Sequence, residues 1–125
     1  MIYLLDTHVI LWAFYDSSEL SNRAKMIVNT EQCCISVATL WELAIKSSLG
    51  KIKLKQSIQE IADKCEESGI ELINIRPEHC QMVASLPFIH KDPFDRLLIA
   101  QALVENFTII TKDSLIPLYP INIVR

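Results

Sequence analysis

FDRLLIAQALVENFTIITKD, residues 94–113, is the stretch that decides the fold. Its first part, FDRLLIAQALVEN (94–106), sets Phe94, Leu97, Leu98, Ala100 (or Gln101) and Val104 at helical spacing, giving a wide apolar surface. TIIT (108–111) follows as a short apolar run of strand type, and Asp113 comes two residues after it. A helix that runs into a buried strand, with an acid just beyond the strand, is a unit of an α/β sheet. In such sheets ligands collect beyond the carboxyl ends of the strands, where Asp113 stands.

The rest of the chain repeats this alternation. IYLL (2–5) reads as a buried strand ending at Asp6, and HVILWAF (8–14) as a short helix capped by Asp6 or Thr7. Ser18 or Ser21 opens the next helix, which runs to about Asn29. CCIS (33–36) is a strand, and residues 38–49 are helical. There Val37, Leu40, Trp41, Ala44, Ile45 and Leu49 form the apolar stripe, and Gly50 supplies the stop. KIKLK (51–55) is either a short extended segment or an exposed loop. SIQEIADKCEES (57–68) puts Ile58, Ile61, Ala62 and Cys65 on one helical face and ends at Gly69. IELINI (70–75) is a strand, Pro77 opens a helix over 77–86, Pro87 and Pro93 bracket a loop, and INIV (121–124) is the last strand. The fold class expected is therefore α/β, with a mostly parallel sheet covered on both faces. No repeat, low-complexity segment or linker interrupts it, so residues 1–125 are expected to form a single domain.

Half of the residues are hydrophobic, 22% are charged and only 2 are Gly, a composition suited to one packed core. No apolar run reaches transmembrane length, and Asp6 interrupts the N-terminus before any signal-like stretch develops. A soluble, cytoplasmic protein with no membrane partner is expected. Cys33, Cys34, Cys65 and Cys80 make no zinc-type spacing and read as free thiols. The net charge of −3 denies the chain a global basic field for nucleic acid. It does not argue against a metal-dependent nuclease, in which bound cations carry the positive charge to the phosphate.

Four acids stand out: Asp6, Glu42, Asp95 and Asp113. Each has an ordinary explanation. Asp6 can cap a helix, Glu42 can pair with Lys46 four residues on, Asp95 can sit in a first helical turn behind a structural Asp92 cap, and Asp113 can cap a turn. Jointly they suggest something else. Asp6 and Asp113 follow strands on the same sheet edge, and Asp95 sits at a helix start near a sheet end. Carboxylates gathered there repel one another unless a hard divalent cation lies among them.

LLDTHVILW (4–12), SVATLWELAIKSSLGKIKL (36–54), LPFIHKDPFDRLLIAQA (86–102) and TIITKD (108–113) together resemble a PIN domain, and more narrowly a VapC-type toxin of a toxin–antitoxin pair. The resemblance covers nearly the whole chain. It implies a three-layer α/β/α sandwich, dependence on Mg2+ or Mn2+, endoribonuclease activity, a homodimer and a partner antitoxin. The family's acidic positions carry over onto Asp6, Glu42, Asp95 and Asp113. Among these, Asp6 and Asp95 are expected as direct metal ligands, Asp113 as a direct or water-mediated one, and Glu42 as the residue that holds a water or accepts its proton. A metal-dependent nuclease or phosphatase for DNA or a small phosphoester, and a non-catalytic binding module, are the competing expectations.

Further residues are candidates for contact with substrate. Lys46, Lys51, Lys53 and Lys55 form a local basic patch, and Lys91 and Arg96 lie near the active edge. Arg96 has the alternative of pairing with Asp92. Thr7 and Thr111 offer hydroxyls to substrate, carboxylates or water, and His8 and His90 can reach substrate without being required by the chemistry.

Overall fold

The computed structural model describes all 125 residues. Five strands form the sheet: β1 (Tyr3–Leu5), β2 (Cys33–Ser36), β3 (Glu71–Ile73), β4 (Thr108–Ile110) and β5 (Ile123–Val124). Their order is β3-β2-β1-β4-β5, and every pairing is parallel. Six helices connect them: α1 (Thr7–Phe14), α2 (Asn22–Thr30), α3 (Val37–Ser48), α4 (Ile58–Glu67), α5 (Pro77–Ser85) and α6 (Pro93–Glu105).

Successive strand residues point to opposite faces, so each short strand feeds two cores. Leu5, Cys33, Ile35, Ile110 and Val124 pack against α1–α4 through residues such as Ile10, Ala24, Leu43 and Ile61. Leu4, Cys34 and Ile109 face the other way, against Leu98, Ile99 and Ala102 of α6. The result is a three-layer α/β/α sandwich with a wholly parallel sheet. The chain leaves β1 toward β2 and β3 on one side, then crosses to β4 and β5 on the other. The gap between β1 and β4 is thus the topological switch point, where open α/β sheets hold their ligands.

Several expectations shift in detail. The strand expected over 70–75 is only Glu71–Ile73, because β3 is an edge strand and both Glu71 and Leu72 are exposed. The last strand shortens to Ile123–Val124. KIKLK is neither helix nor strand; Ile52 and Leu54 lean on the core while the lysines stay exposed. A short 3-10 turn at Ile116–Leu118 was not anticipated, and it delivers Ile116 and Tyr119 to the second core.

The largest correction concerns α3. Trp41 and Leu49 are exposed, and the buried face runs through Ala38, Thr39, Leu40, Glu42 and Leu43. The helix is rotated from its purely apolar stripe, so that Thr39 faces inward and Glu42 reaches the Thr7 hydroxyl. Trp41 instead meets Phe94 edge-on, with ring centroids 5.2 Å apart.

Local signals end the helices as expected. Gly50 and Gly69 adopt φ of 72° and 75°, which stop α3 and α4 at low cost. Ser57 caps α4 in a reciprocal box, accepting from the Glu60 N–H while the Glu60 carboxylate accepts from the Ser57 N–H. Ser57→Ala should cost about 1 kcal/mol and lower the melting temperature by a few degrees. An unchanged thermal melt would show that α4 is held by packing alone. None of the helices is long and apolar enough to cross a membrane.

Candidate active site

Asp6 follows β1 directly. Its N–H donates to the Ile110 carbonyl (3.1 Å), which extends the β1–β4 ladder one step past the strand. Its carboxylate then does two local jobs. Oδ1 accepts from the Thr7 N–H at the start of α1 (2.6 Å), and Oδ2 accepts from the Thr111 hydroxyl (2.7 Å). The same Thr111 Oγ1 accepts from the Asp113 N–H (3.0 Å). One buried threonine at the end of β4 therefore orients the acid after β1 and the segment that carries the acid after β4.

Glu42 reaches the same place from α3. It is 4% exposed. Oε1 accepts from the Thr7 hydroxyl (2.6 Å), and Oε2 meets the Lys46 ammonium at 2.5 Å. The i,i+4 pair foreseen for a helix surface does form, but on the inward side. Thr7 bridges Asp6 and Glu42, with its amide on one and its hydroxyl on the other.

Asp113 caps the turn that follows it. Its Oδ1 accepts from the Leu115 N–H (2.7 Å), the Ile116 N–H (3.1 Å) and His90 Nε2 (3.1 Å). Asp95 differs from the other acids. No donor hydrogen-bonds its side chain, and the nearest cation-forming group is His90 Nε2 at 3.8 Å. Asp92 caps α6 through the amides of Phe94 (2.8 Å) and Asp95 (3.3 Å), as anticipated, yet it also faces the cleft.

These groups line an open cleft of about 280 Å3. Five carboxylates, from Asp6, Glu42, Asp92, Asp95 and Asp113, share it with two lysines, Lys46 and Lys112. The excess of negative charge is visible in the titration of individual groups. Burial, followed by the charges of Asp6, Asp92, Asp113 and Glu42, pushes the Asp95 carboxyl up to about 7. Burial also raises Asp6, against the bonds from Thr111 and the Thr7 amide. For Asp113, partial burial pushes upward, but the Leu115 and Ile116 amides and His90 outweigh it and leave the group below its ordinary range. The hydrogen bond to Glu42 raises Lys46.

The donor set suits a hard divalent cation. All five acids offer oxygen, the ligand type that Mg2+ and Mn2+ take. Asp95 is held among like charges with no donor of its own, an arrangement that a cation would relieve.

Other expected contact residues are placed differently. Thr7 and Thr111 are buried and their hydroxyls donate to carboxylates, so they orient acids; Thr7 also lines the cleft, and Thr111 does not. Lys46 lines the cleft, but Lys51, Lys53, Lys55 and Lys91 do not. Lys55 lies over the Tyr15 ring, just past the C-terminal end of α1, the end opposite Thr7. Arg96 does not line the cleft, and it makes no ion pair with Asp92. It is 6% exposed and donates to the carbonyls of Val83 (3.0 Å), Leu86 (3.3 Å), Pro87 (2.9 Å) and His90 (3.5 Å). It is thus corrected from a phosphate contact to a structural strut.

Lys112 and Trp12 line the cleft without having been foreseen; the place of Lys112 between Thr111 and Asp113 was the available signal. Lys112 lies 5.6 Å from the Trp12 ring centroid, and His8 stacks on the same ring at 5.9 Å. The four cysteines are free thiols, three of them buried.

A PIN domain family model matches residues 3–119. The chain is 26% identical over 112 residues to a ribonuclease, VapC22, of Mycobacterium tuberculosis, covering 88% of this chain and 85% of that one. Among solved structures it is similar to a chain of VapBC2 from Rickettsia felis bound to a DNA fragment from its promoter. The TM-score is 0.73 at 22% identity, over 99% of this chain and 98% of the other. A chain of VapBC-1 from nontypeable Haemophilus influenzae gives a TM-score of 0.68 at 20% identity, over 99% and 97%. These two structural likenesses bear on the fold.

Proposed function

The chain belongs to the PIN domain family, and from that premise we propose that it is a metal-dependent endoribonuclease, the toxin of a toxin–antitoxin pair. The observation that carries this reading is the convergence of Asp6, Glu42, Asp95 and Asp113 on one cleft at the sheet switch point. Residues 1–125 act as one PIN domain in the cytoplasm. The names of the ribonuclease relative and of the VapBC structures support an RNA substrate and an antitoxin partner, and a homodimer is the assembly we expect.

Asp6, Asp95 and Asp113 are the residues we assign to hold the cation, Mg2+ or Mn2+. Bound there, it supplies positive charge against the phosphodiester and lowers the pKa of water. Glu42, fixed by Thr7 and Lys46, is the proton acceptor for the attacking water. Thr7 and Thr111 keep the carboxylates in place, so little reorganisation is needed when charge builds on the phosphate. With Lys46 engaged by Glu42, Lys112 is the lysine of the cleft available to RNA phosphates. Direct attack by water leaves a 5′-phosphate and a 3′-hydroxyl.

Asp6→Asn is expected to reduce Mg2+-dependent cleavage of RNA roughly 100-fold or more while the circular dichroism spectrum stays native. The assay compares total RNA and DNA, each with and without EDTA, and maps the ends produced. Undiminished cleavage by the variant would remove Asp6 from the site, and cleavage that persists in EDTA would sink the metal-dependent reading.

A further inference from the structure

Resting on the nuclease reading of the cleft, we propose that His90 is a positioning residue whose Nε2–H holds the Asp113 carboxylate in the orientation that serves a divalent cation. His90 is 4% exposed, yet its ring reaches two of the acids assigned to the metal. Nε2 lies 3.1 Å from Asp113 Oδ1 and 3.8 Å from Asp95 Oδ2. The nitrogen atom and one oxygen from each acid lie within 4.8 Å of one another.

Such a cluster could make His90 a metal ligand, but the other ring nitrogen argues otherwise. A histidine that ligates through Nε2 must carry its proton on Nδ1, and that N–H normally has an acceptor. His90 Nδ1 is buried with no partner. A bare Nδ1 lone pair in that position costs less than a buried N–H without an acceptor, which selects the tautomer with the proton on Nε2. That proton goes to the acid at hydrogen-bond distance, Asp113, and not to Asp95.

The ring is also held as a positioning group should be. It stacks on Tyr119 with centroids 5.6 Å apart. The His90 N–H donates to Tyr119 Oη (2.8 Å), and that hydroxyl donates to the Pro87 carbonyl (3.2 Å). Arg96 ties down the same loop through the carbonyls of Leu86, Pro87 and His90, and anchors it to α5 through that of Val83. Asp113 Oδ1 is thereby fixed from three directions, and Oδ2 is the oxygen with no hydrogen bond.

The test uses two variants and one measurement on the wild type. His90→Phe keeps the stacking ring and removes the donor, whereas His90→Gln places an amide N–H near the position of Nε2. Mn2+ affinity, read by calorimetry or by electron paramagnetic resonance, should weaken about 10-fold or more in His90→Phe and return to within roughly threefold of wild type in His90→Gln. Nitrogen-15 spectra of the neutral ring in metal-free wild-type protein should show the proton on Nε2. His90→Phe binding Mn2+ like the wild type, or a proton found on Nδ1, would overturn the role of His90 alone. Wild-type protein that binds no Mn2+ would overturn the nuclease reading itself. If His90→Phe does not fold, the tautomer and His90→Gln still decide: an Nδ1 proton, or a loss in His90→Gln as large as 10-fold, refutes the proposal.

Discussion

Asp95→Asn, stripped of metal at near-neutral pH, is expected to melt several degrees above the wild type while losing RNA cleavage. The Asp95 carboxyl titrates at about 7 in the folded chain, against 3.8 for the free group. A carboxyl raised in this way contributes stability that is fully present below the unfolded value and is lost as pH rises through the folded one. Between those limits the native state holds a proton that the unfolded state has released. Ionising the group in the folded protein therefore costs at most about 4 kcal/mol. Against this, a carboxylate in the first turn of α6 gains about 0.3–1 kcal/mol from the helix dipole. Burial of the charge, with the repulsion of the neighbouring acids added to it, is the larger effect, so removing the charge should stabilise.

The pH dependence isolates the cause. Wild-type protein in EDTA should lose stability as pH rises from mildly acidic to neutral, and Asp95→Asn should show a flatter profile over that window. Asp113 lies below its ordinary range and does not contribute to the difference. Adding Mn2+ or Mg2+ should raise the wild-type melting temperature and leave the variant unmoved. A variant that melts several degrees lower, with an unchanged pH profile, would mean that Asp95 serves α6 and not a cation.

Arg96→Ala is expected to be the most damaging substitution for stability, at about 3–5 kcal/mol. The guanidinium is buried without a carboxylate partner, and backbone carbonyls of residues 83–90 satisfy it. Removing it takes the side-chain donor from all four carbonyls; Val83 and Pro87 keep a bond from the Leu86 N–H and the Tyr119 hydroxyl. Arg96→Lys should recover less than half of the loss, since one ammonium cannot span carbonyls that a planar fork reaches with two separate nitrogens. Denaturant melts of both variants check this, and full rescue by Lys would show that charge alone matters there. Cleavage should fall in both, because the loop that Arg96 ties down carries His90 beside Asp95 and Asp113.

The site was legible where chemistry and local structure coincide. Asp6 and Asp113 are readable as acids beyond strands, because a run such as IYLL or TIIT announces both the strand and its end. Asp95 is readable through the Asp-Pro start of α6. Glu42 was ambiguous for a physical reason: an i,i+4 partner looks the same on a solvent face and on the wall of a cleft. Only the rotation of α3, which turns Thr39 and Glu42 inward and leaves Trp41 outside, distinguishes the two. Arg96 was misread because a cation next to a candidate site acid, Asp95, has no local mark of burial. Its partners are carbonyls of the end of α5 and the loop after it, 6 to 13 residues away.

By itself the sequence determined the alternation of strands and helices, the parallel sheet covered on both faces, and the identity of the acids. These follow from periodicity, caps and the short reach of apolar runs, all of which are local. Tertiary structure decided what sequence-distant groups do to one another. It set the strand order that opens a cleft between β1 and β4 and gave Thr7 and Thr111 to the carboxylates. It also left Asp95 without a donor among its neighbours and aimed His90 at Asp113. Hydrogen bonds and charge coupling depend on distances of a few ångströms between residues as much as 105 positions apart, and no spacing along the chain encodes those distances.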